Sequence, residues 1–428
     1  MNLDIRRLGA ATRRSPLGLS TTRGDRICDF VSDDARVLYD VAAPAAPGSP
    51  SFERAGPRER IYFDPAALRV GIVTCGGLCP GTNNVLRAAV MELWFHYGVR
   101  SIVGFRYGFA GLVPRAIAPA ELSPDVVDEI HHRGGSLLGS SRGTQDPTEM
   151  IATLEREGIG VLLVVGGDGT MRGAQSIVDE ADRRGLPLAV VAVPKTIDND
   201  IPLVERTFGF ETAFSVAVDA IRAAHTEAKG YDNGVGLVKL MGRHSGAITT
   251  HAALAEPDVN LALIPEVPFI LDGERSVVAW LVERLARRRH AVIVVAEGAG
   301  QDLLGEDDLG RDASGNLRLG DIGAFLRDHL AVSLRARGVN ASVKYIDPSY
   351  MIRSAPASPN DSIFAADLAR YAVHAALSGR TAMVVGFWNG QFTHVPLSAS
   401  LALTKRVDPE GDLWRSVLES TGQPAAWG

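Results

Sequence analysis

Short apolar runs alternate with amphipathic segments from Arg69 onward. Runs rich in Val, Ile and Leu are typical of buried strands, and we predict strands at 70–74, 101–105, 161–165, 188–193, 235–240, 261–264, 291–296, 343–346 and 382–387. The intervening segments carry apolar residues at helical spacing, which predicts helices at 84–97, 171–184, 212–228, 245–255, 274–288, 322–337 and 361–377.

This order of elements predicts an α/β protein built from two three-layer α/β domains with mostly parallel sheets. Right-handed crossovers between parallel strands bring the carboxyl ends of the strands to one edge of the sheet. Open sheets of this kind bind ligands at that edge. We therefore expect functional loops directly after the strands.

The chain divides into four predicted regions. Residues 1–66 are rich in Arg, Pro, Gly and Ser, with a linker-like APAAPGSP at 43–50, and form an N-terminal extension. We predict a first domain at 67–230, rejoined by part of the C-terminal region, and a second domain at 231–400. Residues 401–428 remain as a C-terminal tail.

Composition narrows the class of protein. Hydrophobic residues make up 46% and charged residues 22% of the chain, which is ordinary for a globular protein. The net charge of −6 argues against general nucleic-acid binding, which needs a basic face. No apolar run reaches the length of about eighteen residues expected of a membrane span. Three cysteines are too few for a disulfide framework, so the sequence favours the cytoplasm.

Three glycine-containing segments follow predicted strands. The first is GIVTCGGLCPGTNN at 71–84, in which Gly76 and Gly77 precede a helix. Glycines let backbone N–H groups approach an anion, and the following helix adds its positive N-terminus. A tight turn also requires glycine, and the segment matches neither the dinucleotide-binding nor the P-loop pattern. By itself it is a weak indication of a phosphate site.

The second segment, LLVVGGDGT at 162–170, is more specific. An apolar strand ends in two glycines that are followed by Asp168, Gly169 and Thr170. Aspartate is a common turn residue, but a carboxylate between glycines at the ligand edge of a sheet also suits Mg²⁺ and phosphate. We predict that Asp168 binds Mg²⁺ and that the glycine amides bind phosphates.

The third segment is VVAVPKTIDND at 190–200. Another apolar strand leads to Lys195, and Asp198 and Asp200 follow shortly after. Two carboxylates after a core strand indicate acid–base catalysis or metal binding, although a solvated turn has the same composition. Lys195 would supply positive charge for phosphoryl oxygens. Together the three segments predict an enzyme that handles phosphate.

In this order the segments resemble the ATP- and pyrophosphate-dependent 6-phosphofructokinase family. The shared motifs are GGxxPG, GGDGT, PKTIDND, MGRHSG, AEG and a distal YxxR, spread over residues 67–400. The resemblance implies Mg²⁺-dependent phosphoryl transfer from ATP to the C1 hydroxyl of fructose 6-phosphate. It also implies a homodimer or homotetramer, with the phosphoryl donor on the domain at 67–230 and the sugar phosphate on the domain at 231–400.

The resemblance further implies a role for each matching residue on the donor side and in the reaction. Asp198 would be the general base for the sugar hydroxyl, supported by Asp200, and Asp168 would bind Mg²⁺. Lys195 and Arg243 would stabilise charge on the transferred group. The ATP site would contain Gly76, Gly77, Arg142, Gly167, Asp168, Gly169 and Thr170.

On the sugar side, Glu297 would accept hydrogen bonds from the hydroxyls, and Lys344, Tyr350 and Arg353 would bind the 6-phosphate. Taken singly, an arginine such as Arg243 is more simply explained as a surface residue. The full implied set of substrate residues is Thr196, Met241, Gly242, Arg243, Glu297, Lys344, Tyr350 and Arg353.

Two positions bear on the phosphoryl donor. In the family, a glycine at the position of Gly169 leaves room for the α-phosphate of a nucleotide, whereas pyrophosphate enzymes tend to carry aspartate there. Lys195, however, resembles the pyrophosphate enzymes, and the long-chain ATP-using branch combines this glycine with this lysine. Because a steric block outweighs an added positive charge, the sequence favours ATP, with pyrophosphate as the alternative.

Other functions stay open at this point. The same site would suit a kinase of another sugar phosphate, such as sedoheptulose 7-phosphate, or a non-catalytic sugar-phosphate-binding subunit. Regulatory homologues usually lose a catalytic carboxylate, and Asp168, Asp198 and Asp200 are all present here. A Rossmann dehydrogenase is disfavoured because GxGxxG and the ribose-binding acid are missing.

Overall fold

The computed structural model gives the fold of most of the chain. It describes residues 1–42, 46, 48–114, 117–305, 310–311 and 317–428. Four residues of the predicted linker at 43–50, namely 43–45 and 47, lie outside the described residues.

Strands and helices alternate over the region where the apolar pattern predicts them. The strands are β1 (Arg6–Arg7), β2 (Arg13–Arg14), β3 (Arg36–Leu38), β4 (Ser51–Arg54), β5 (Arg60–Ile61), β6 (Arg69–Thr74), β7 (Ser101–Phe105), β8 (Ala120–Glu121), β9 (Val161–Gly166), β10 (Ala189–Pro194), β11 (Gly234–Leu240), β12 (Leu261–Leu263), β13 (His290–Ala296), β14 (Ser342–Ile346), β15 (Arg380–Thr381), β16 (Met383–Trp388) and β17 (Gln391–Pro396). The helices are α1 (Thr82–Met91), α2 (Pro124–Val127), α3 (Pro147–Arg156), α4 (Asp168–Arg183), α5 (Phe210–Lys229), α6 (Ala247–Ala255), α7 (Val277–Arg288), α8 (Ile322–Ala336), α9 (Ser349–Ser354), α10 (Pro359–Leu377), α11 (Leu397–Leu401) and α12 (Asp412–Thr421).

Several helices begin where a polar side chain satisfies their free N–H groups. Asp146 accepts from the amide of Thr148 at the start of α3, and Asp321 accepts from the amide of Ala324 at the start of α8. A proline follows the capping residue in α3 and α10, where its missing N–H costs nothing. These caps fix where the loops after the strands end.

The first compact unit comprises Met1–Thr196, Ile201–Gly209 and Ser354–Thr404. Within the described residues, its main sheet has nine strands in the order β3-β4-β17-β16-β10-β9-β6-β7-β8. The five central strands, from β16 to β7 in that order, are parallel to one another. The four pairings outside them, β16 with β17, β17 with β4, β4 with β3 and β7 with β8, are antiparallel. Every residue of β9 and β10 is buried, which explains their uninterrupted apolar sequences.

The second compact unit comprises Ile197–Asp200, Phe210–Arg353 and Lys405–Gly428. Its sheet is parallel throughout, in the order β12-β13-β11-β14. Helices α7 and α8 supply apolar residues such as Leu281 and Leu330 to the core on one side of this sheet.

The strands of the central α/β region lie within two residues of the predicted bounds, and the predicted fold class, a mixed α/β protein with mostly parallel sheets, is confirmed. The predicted helix 84–97 is divided, because α1 continues over Glu92–Tyr97 as a π-helix. The chain passes between the two compact units within residues 196–210, at 353–354 and at 404–405, and the predicted domain bounds stay a prediction. Residues 401–428 contain α12. Among the described residues, no helix is long and apolar enough to cross a bilayer.

The N-terminal segment is part of the first unit. Strand β1 pairs with β15, and β4 pairs with β17, so residues before Arg54 add strands to elements that follow residue 380. Beneath this pairing lies the buried carboxylate of Glu53, which accepts hydrogen bonds from Arg58 Nη2 at 2.9 Å, from His394 Nδ1 at 3.1 Å and from Arg380 Nε.

The Glu53 cluster, which we define as Glu53, Arg58, Arg380 and His394, contains two buried arginines and one buried carboxylate. Burial alone would raise the pKa of Glu53, but the hydrogen bond from His394 and the charges of Arg380 and Arg58 hold that pKa well below its usual range. Burial lowers the pKa of His394 to about 4, so its ring stays neutral at physiological pH. Glu53 therefore compensates both guanidinium groups, together with the partly exposed Asp33, which lies 3.0 Å from Arg58 Nε and 2.7 Å from Arg380 Nη2.

We predict that Glu53→Gln lowers the free energy of unfolding by about 3 kcal/mol, because it removes the buried carboxylate between two buried guanidinium groups, which keep the partly exposed Asp33. The measurement is urea unfolding at pH 7.5. Glu121→Gln is the matched control, since Glu121 pairs with Arg69 at 3.1 Å but is exposed, and exposed pairs contribute about 0–1 kcal/mol.

The sign of the pH dependence is also fixed. The folded-state pKa of Glu53 is depressed, so its contribution is complete above the ordinary glutamate pKa and is lost as the pH falls. The wild type should lose more stability than Glu53→Gln on acidification. Equal losses in the free energy of unfolding for Glu53→Gln and Glu121→Gln at pH 7.5 would contradict a buried Glu53 that compensates the arginines.

Candidate functional site

Three of the predicted segments emerge side by side at one edge of the first unit's sheet. Thr74 at the end of β6 is level with Val165 of β9, and Gly166 at the end of β9 is level with Pro194 of β10. The residues that follow these strands are therefore neighbours. They are the turn at Gly76 and Gly77, the start of α4, and Lys195.

Two positive side chains border the Gly76–Gly77 turn. Gly76 has φ +83°, a conformation that favours glycine. The buried Lys195 donates from Nζ to the carbonyl of Gly77 at 2.7 Å. A Cβ at Gly76 would lie 3.6 Å from Lys195 Nζ, and one at Gly77 would lie 3.3 Å from Arg142 Nη2. The turn thus combines close backbone access with positive charge, which suits an anionic ligand.

A neighbouring loop holds Arg142 beside this turn. The amide of Gly76 donates to the carbonyl of Ser141 at 3.0 Å, and Thr74 Oγ1 donates to the carbonyl of Gly139 at 2.7 Å. Because these bonds attach residues 139–141 to the end of β6, the position of Arg142 is set by the turn itself.

The GGDGT segment forms the beginning of α4. Gly167 precedes the helix, Asp168 is its first residue, and Thr170 is buried. A Cβ at Gly169 would contact nothing within 4 Å, so the space beside it is open. The amides of a helix N-terminus and this open space together suit a phosphate chain.

Asp168 presents one partly exposed carboxylate, which forms an ion pair with Arg172. Among the described residues, no group of three or more His, Cys, Asp and Glu side chains could hold a metal by itself. Mg²⁺ is commonly bound by one or two carboxylates together with substrate phosphates. The donor set at Asp168 fits that arrangement, and it does not fit a metal bound by protein ligands alone.

Thr196 ends the first unit's part of the third segment. Its carbonyl accepts from Thr207 Oγ1 at 2.7 Å, and the amide of Lys195 donates to the carbonyl of Gly166 at 2.9 Å. Both residues are therefore held by the backbone at the end of the sheet.

Asp198, Asp200 and Glu297 form a carboxylate cluster in the second unit. Asn199, between the two aspartates, has φ +50°, a left-handed conformation that asparagine adopts more readily than most residues. Burial, together with repulsion by Asp200 and Glu297, raises the pKa of Asp198 well above its usual range, while Arg353 and Arg243 act in the opposite direction. Asp198 is thus a carboxylate poised to take up a proton.

The ends of β11 and β13 bring the next two predicted segments together. Leu240 is level with Ala296 in the sheet. The amide of Glu297 donates to the carbonyl of Leu240 at 2.8 Å, and the amide of Gly298 donates to the carbonyl of Gly242 at 3.1 Å. Gly242 has φ +124°, and a Cβ there would come within 2.4 Å of the carbonyl oxygen of Ser245. Only glycine fits this crossing of two strand ends.

Two arginines complete the cluster. Arg353 Nε lies 3.0 Å from the sulfur of the buried Met241, and Arg243 Nη1 donates to the carbonyl of Leu317. Both arginines act on the ionisation of Asp198. The second unit therefore places Asp198, Asp200, Glu297, Met241, Gly242, Arg243 and Arg353 around one carboxylate cluster.

The structure does not bring Lys344 and Tyr350 into this group. Lys344 is level with Gly236, near the start of β11, and its Nζ lies 3.9 Å from Glu227 and 4.9 Å from the ring centre of Tyr231. Tyr350 is 84% exposed. Their role in binding a 6-phosphate stays a prediction.

Comparison with known proteins identifies the family. A family model described as phosphofructokinase matches residues 69–376. The chain belongs to the phosphofructokinase family. An ATP-dependent 6-phosphofructokinase from Amycolatopsis methanolica is 50% identical over 444 residues, which cover 100% of this chain and 96% of that protein. One from Borreliella burgdorferi is 43% identical, with 99% and 97% covered.

Solved phosphofructokinases share the fold. The crystal structure of the pyrophosphate-dependent phosphofructokinase from Marinobacter aquaeolei superposes with a TM-score of 0.68 at 21% sequence identity, over 84% of this chain and 93% of that one. At this identity the likeness concerns the fold alone. The resemblance predicted from the sequence motifs is confirmed by the family model and by the relatives.

Sequence reasoning missed residues that hold this site in shape. Asn199 supplies the left-handed turn between the aspartates, and Gln301 binds the carbonyl of Glu297 at 2.7 Å. The sequence carried a signal for the first, because asparagine is a common left-handed residue. Gln301 could not be found in this way, since nothing in its local pattern distinguishes it from a surface glutamine.

We predict that Asp198→Asn raises the melting temperature at pH 7.5. The folded-state pKa of Asp198 is raised, so its ionisation penalises the folded state above the ordinary aspartate pKa, and the penalty disappears as the pH falls. The gain should therefore shrink on acidification. Asp219→Asn, which alters an exposed carboxylate of α5, should have little effect at either pH. A lower melting temperature for Asp198→Asn at pH 7.5 would rule out the repulsion described above.

Proposed function

We propose that this phosphofructokinase catalyses Mg²⁺-dependent phosphoryl transfer from ATP to the C1 hydroxyl of fructose 6-phosphate. The products are fructose 1,6-bisphosphate and ADP, as in glycolysis. The observation that carries the proposal is the carboxylate cluster around Asp198, flanked by Arg243 and Arg353, in a chain of this family.

The carboxylate cluster supports the acceptor half of the reaction. A general base must lie where it can take a hydroxyl proton, and it works best when its pKa lies near the working pH. Burial, and then repulsion from Asp200 and Glu297, raises the pKa of Asp198 in that direction. Glu297 also offers oxygens for the sugar hydroxyls, and Arg243 and Arg353 offer charge for phosphate oxygens.

The Gly76–Gly77 turn supports the donor half. Phosphoryl transfer depends mainly on positioning and on neutralising charge on the phosphate oxygens. Lys195, Arg142 and the amides at the start of α4 provide such groups in the first unit. Mg²⁺ bound through Asp168 would neutralise phosphate charge and orient the phosphate chain.

ATP is the donor that the chain favours. The relatives compared above are named ATP-dependent, and the space beside Gly169 is open. An aspartate in that space would oppose the α-phosphate by its bulk and its charge. The neighbouring Lys195 suits either donor, so Gly169 decides between ATP and pyrophosphate.

The remaining proposals rest on the family. We expect a homodimer or homotetramer in the cytoplasm, with fructose 6-phosphate preferred over sedoheptulose 7-phosphate. Residues Lys344, Tyr350 and Arg353 are proposed for the 6-phosphate, with Arg353 supported by its place beside Met241. A non-catalytic subunit is disfavoured by the intact set of Asp168, Asp198 and Asp200.

The proposed function is tested by measuring phosphorylation of fructose 6-phosphate with ATP and with pyrophosphate in parallel. We predict activity with ATP, and a fall of about 10²-fold or more in kcat/KM for ATP in Gly169→Asp, because close like charge in a donor site costs several kcal/mol. The substitution should not disturb folding, since a Cβ at Gly169 contacts nothing within 4 Å.

Two further variants separate bulk from charge. Gly169→Ala adds only a methyl group, and Gly169→Asn has the shape of aspartate without its charge. Loss of ATP activity in both Gly169→Asp and Gly169→Asn would indicate a steric block. Loss in Gly169→Asp alone would indicate charge repulsion. Wild-type activity with pyrophosphate and none with ATP would refute the donor assignment.

We predict that Asp200→Asn moves the acidic limb of the pH profile of kcat/KM to lower pH. Asp198 must be ionised to act as a base, and removing the charge of Asp200 removes one cause of its raised pKa. The profile is measured with saturating ATP and varied fructose 6-phosphate. Asp219→Asn should leave the limb in place. A shift to higher pH would contradict the role of Asp200.

A further inference from the structure

Lys239 is a charged residue within the otherwise apolar strand β11. Its side chain is only 14% exposed, and its Nζ lies 2.8 Å from Asp347 Oδ2 and 3.6 Å from Asp321 Oδ1. A buried lysine costs free energy unless its charge is paired. A hydrophobic residue would serve the strand better, so the lysine has a reason other than packing.

Two further contacts extend this pair into a cluster. Tyr345 donates from its hydroxyl to Asp321 Oδ1 at 3.0 Å, and the same oxygen accepts from the amide of Ala324 at 3.1 Å. A Cβ at Gly323 would come within 2.5 Å of the Tyr345 hydroxyl, so only glycine leaves room for the ring. The Lys239 cluster is therefore Lys239, Asp321, Tyr345 and Asp347.

The cluster joins three strand ends that carry proposed site residues. Lys239 lies two residues before Met241 on β11. Asp347 follows β14 and accepts from the amide of Ser349 at 3.0 Å, at the start of the helix that carries Arg353.

The third connection runs to Glu297. Asp321 follows Gly320, whose amide donates to Gln301 Oε1 at 3.0 Å. Gln301 in turn donates to the carbonyl of Glu297 at 2.7 Å. The segments that carry Met241, Glu297 and Arg353 are thus each connected to Lys239 by a short chain of hydrogen bonds or by the backbone.

Lys239 and Asp347 stabilise each other's charged form. Burial alone would lower the pKa of Lys239, but the hydrogen bond to Asp347 and the nearby carboxylates raise it above its usual range. Burial likewise opposes ionisation of Asp347, yet the hydrogen bonds from Lys239 and Ser349 lower its pKa. Among the described residues, removing Asp347 leaves Lys239 with only the longer contact to Asp321, and removing Lys239 leaves Asp347 without a cation.

We propose that Lys239 is a positioning residue for the sugar-phosphate site, acting through Asp347 to fix the segment that carries Arg353. The inference rests on the proposed function for the identity of the substrate, but not for the structural link itself. Lys239 does not act on the reacting atoms. Its effect is to hold Arg353 and Met241 in their positions. This matters because small displacements of binding groups lower the rate by large factors.

The test is Lys239→Met, which keeps most of the apolar stem and removes the charge. We expect kcat/KM for fructose 6-phosphate to fall by roughly 10–100-fold, mostly through KM, because Arg353 is displaced. The KM for ATP should stay unchanged. Hydrogen–deuterium exchange in the segment 348–354, whose N–H groups are those of residues 349–354, should rise in the same variant. Lys239→Arg should restore part of both properties.

The matched control is an ion pair at the other end of the same strands. Asp232 precedes β11 and Arg289 precedes β13, and Arg289 Nε donates to Asp232 Oδ1 at 2.6 Å. Arg289→Met removes a cation as Lys239→Met does, and Asp232→Asn matches Asp347→Asn. Neither control should change the KM for fructose 6-phosphate or the exchange of residues 348–354.

A double-mutant cycle decides whether Lys239 and Asp347 act as one unit. Lys239→Met and Asp347→Asn together should cost no more than the larger single effect, because either substitution breaks the same link. Fully additive effects would overturn the proposal. So would equal losses toward both substrates with unchanged exchange at 348–354, since neither result is specific to the segment that carries Arg353.

Failure of the proposed function would look different. A wild-type enzyme without activity on fructose 6-phosphate would refute the substrate assignment. The exchange measurement uses no substrate, so an increase at 348–354 in Lys239→Met and not in Arg289→Met would still support the positioning link. No difference in exchange between these two variants would overturn it.

Discussion

The site depends on a buried carboxylate that is held beside two others. Burial raises the pKa of Asp198, repulsion by Asp200 and Glu297 raises it further, and the fold holds all three carboxylates near each other despite the cost. Two backbone hydrogen bonds between the ends of β11 and β13 keep Glu297 in place, and Arg243 and Arg353 offset part of the repulsion. A raised pKa makes a carboxylate a better proton acceptor near neutral pH, and many enzymes tune a catalytic base in this way.

The first unit concentrates positive charge, whereas the second concentrates carboxylates. A main chain without such charge would attract a highly charged anion only weakly. Glycines at positions 76 and 77 expose the main chain, and Lys195 and Arg142 add charge without occupying the turn. Lys195 is anchored on the carbonyl of Gly77, so its charge is fixed before a ligand arrives. Preorganised charge of this kind lowers the reorganisation needed during phosphoryl transfer.

The sequence predicted those parts of the fold that depend on local patterns. Strands such as 101–105 are continuous apolar runs, and the motifs after them follow from the rule that ligands bind at strand ends. Strands β1 and β4 were not predicted, because their partners β15 and β17 lie more than 300 positions further along the chain, as His394 does from Glu53. The sequence could not give the surroundings of Lys344, because its contacts with Glu227 and Tyr231 depend on how β14 lies beside β11. Its role as a phosphate ligand stays a prediction.

The pairing of β4 with β17 has a consequence for how the chain reaches its native state. Glu53 is synthesised early, but Arg380 follows it by 327 residues and His394 by 341. Until those residues leave the ribosome, Glu53 and Arg58 lack two of their buried partners, and β17 is absent between β4 and β16. Closure of the first unit is therefore a late event of high contact order, and folding should be slow at this step.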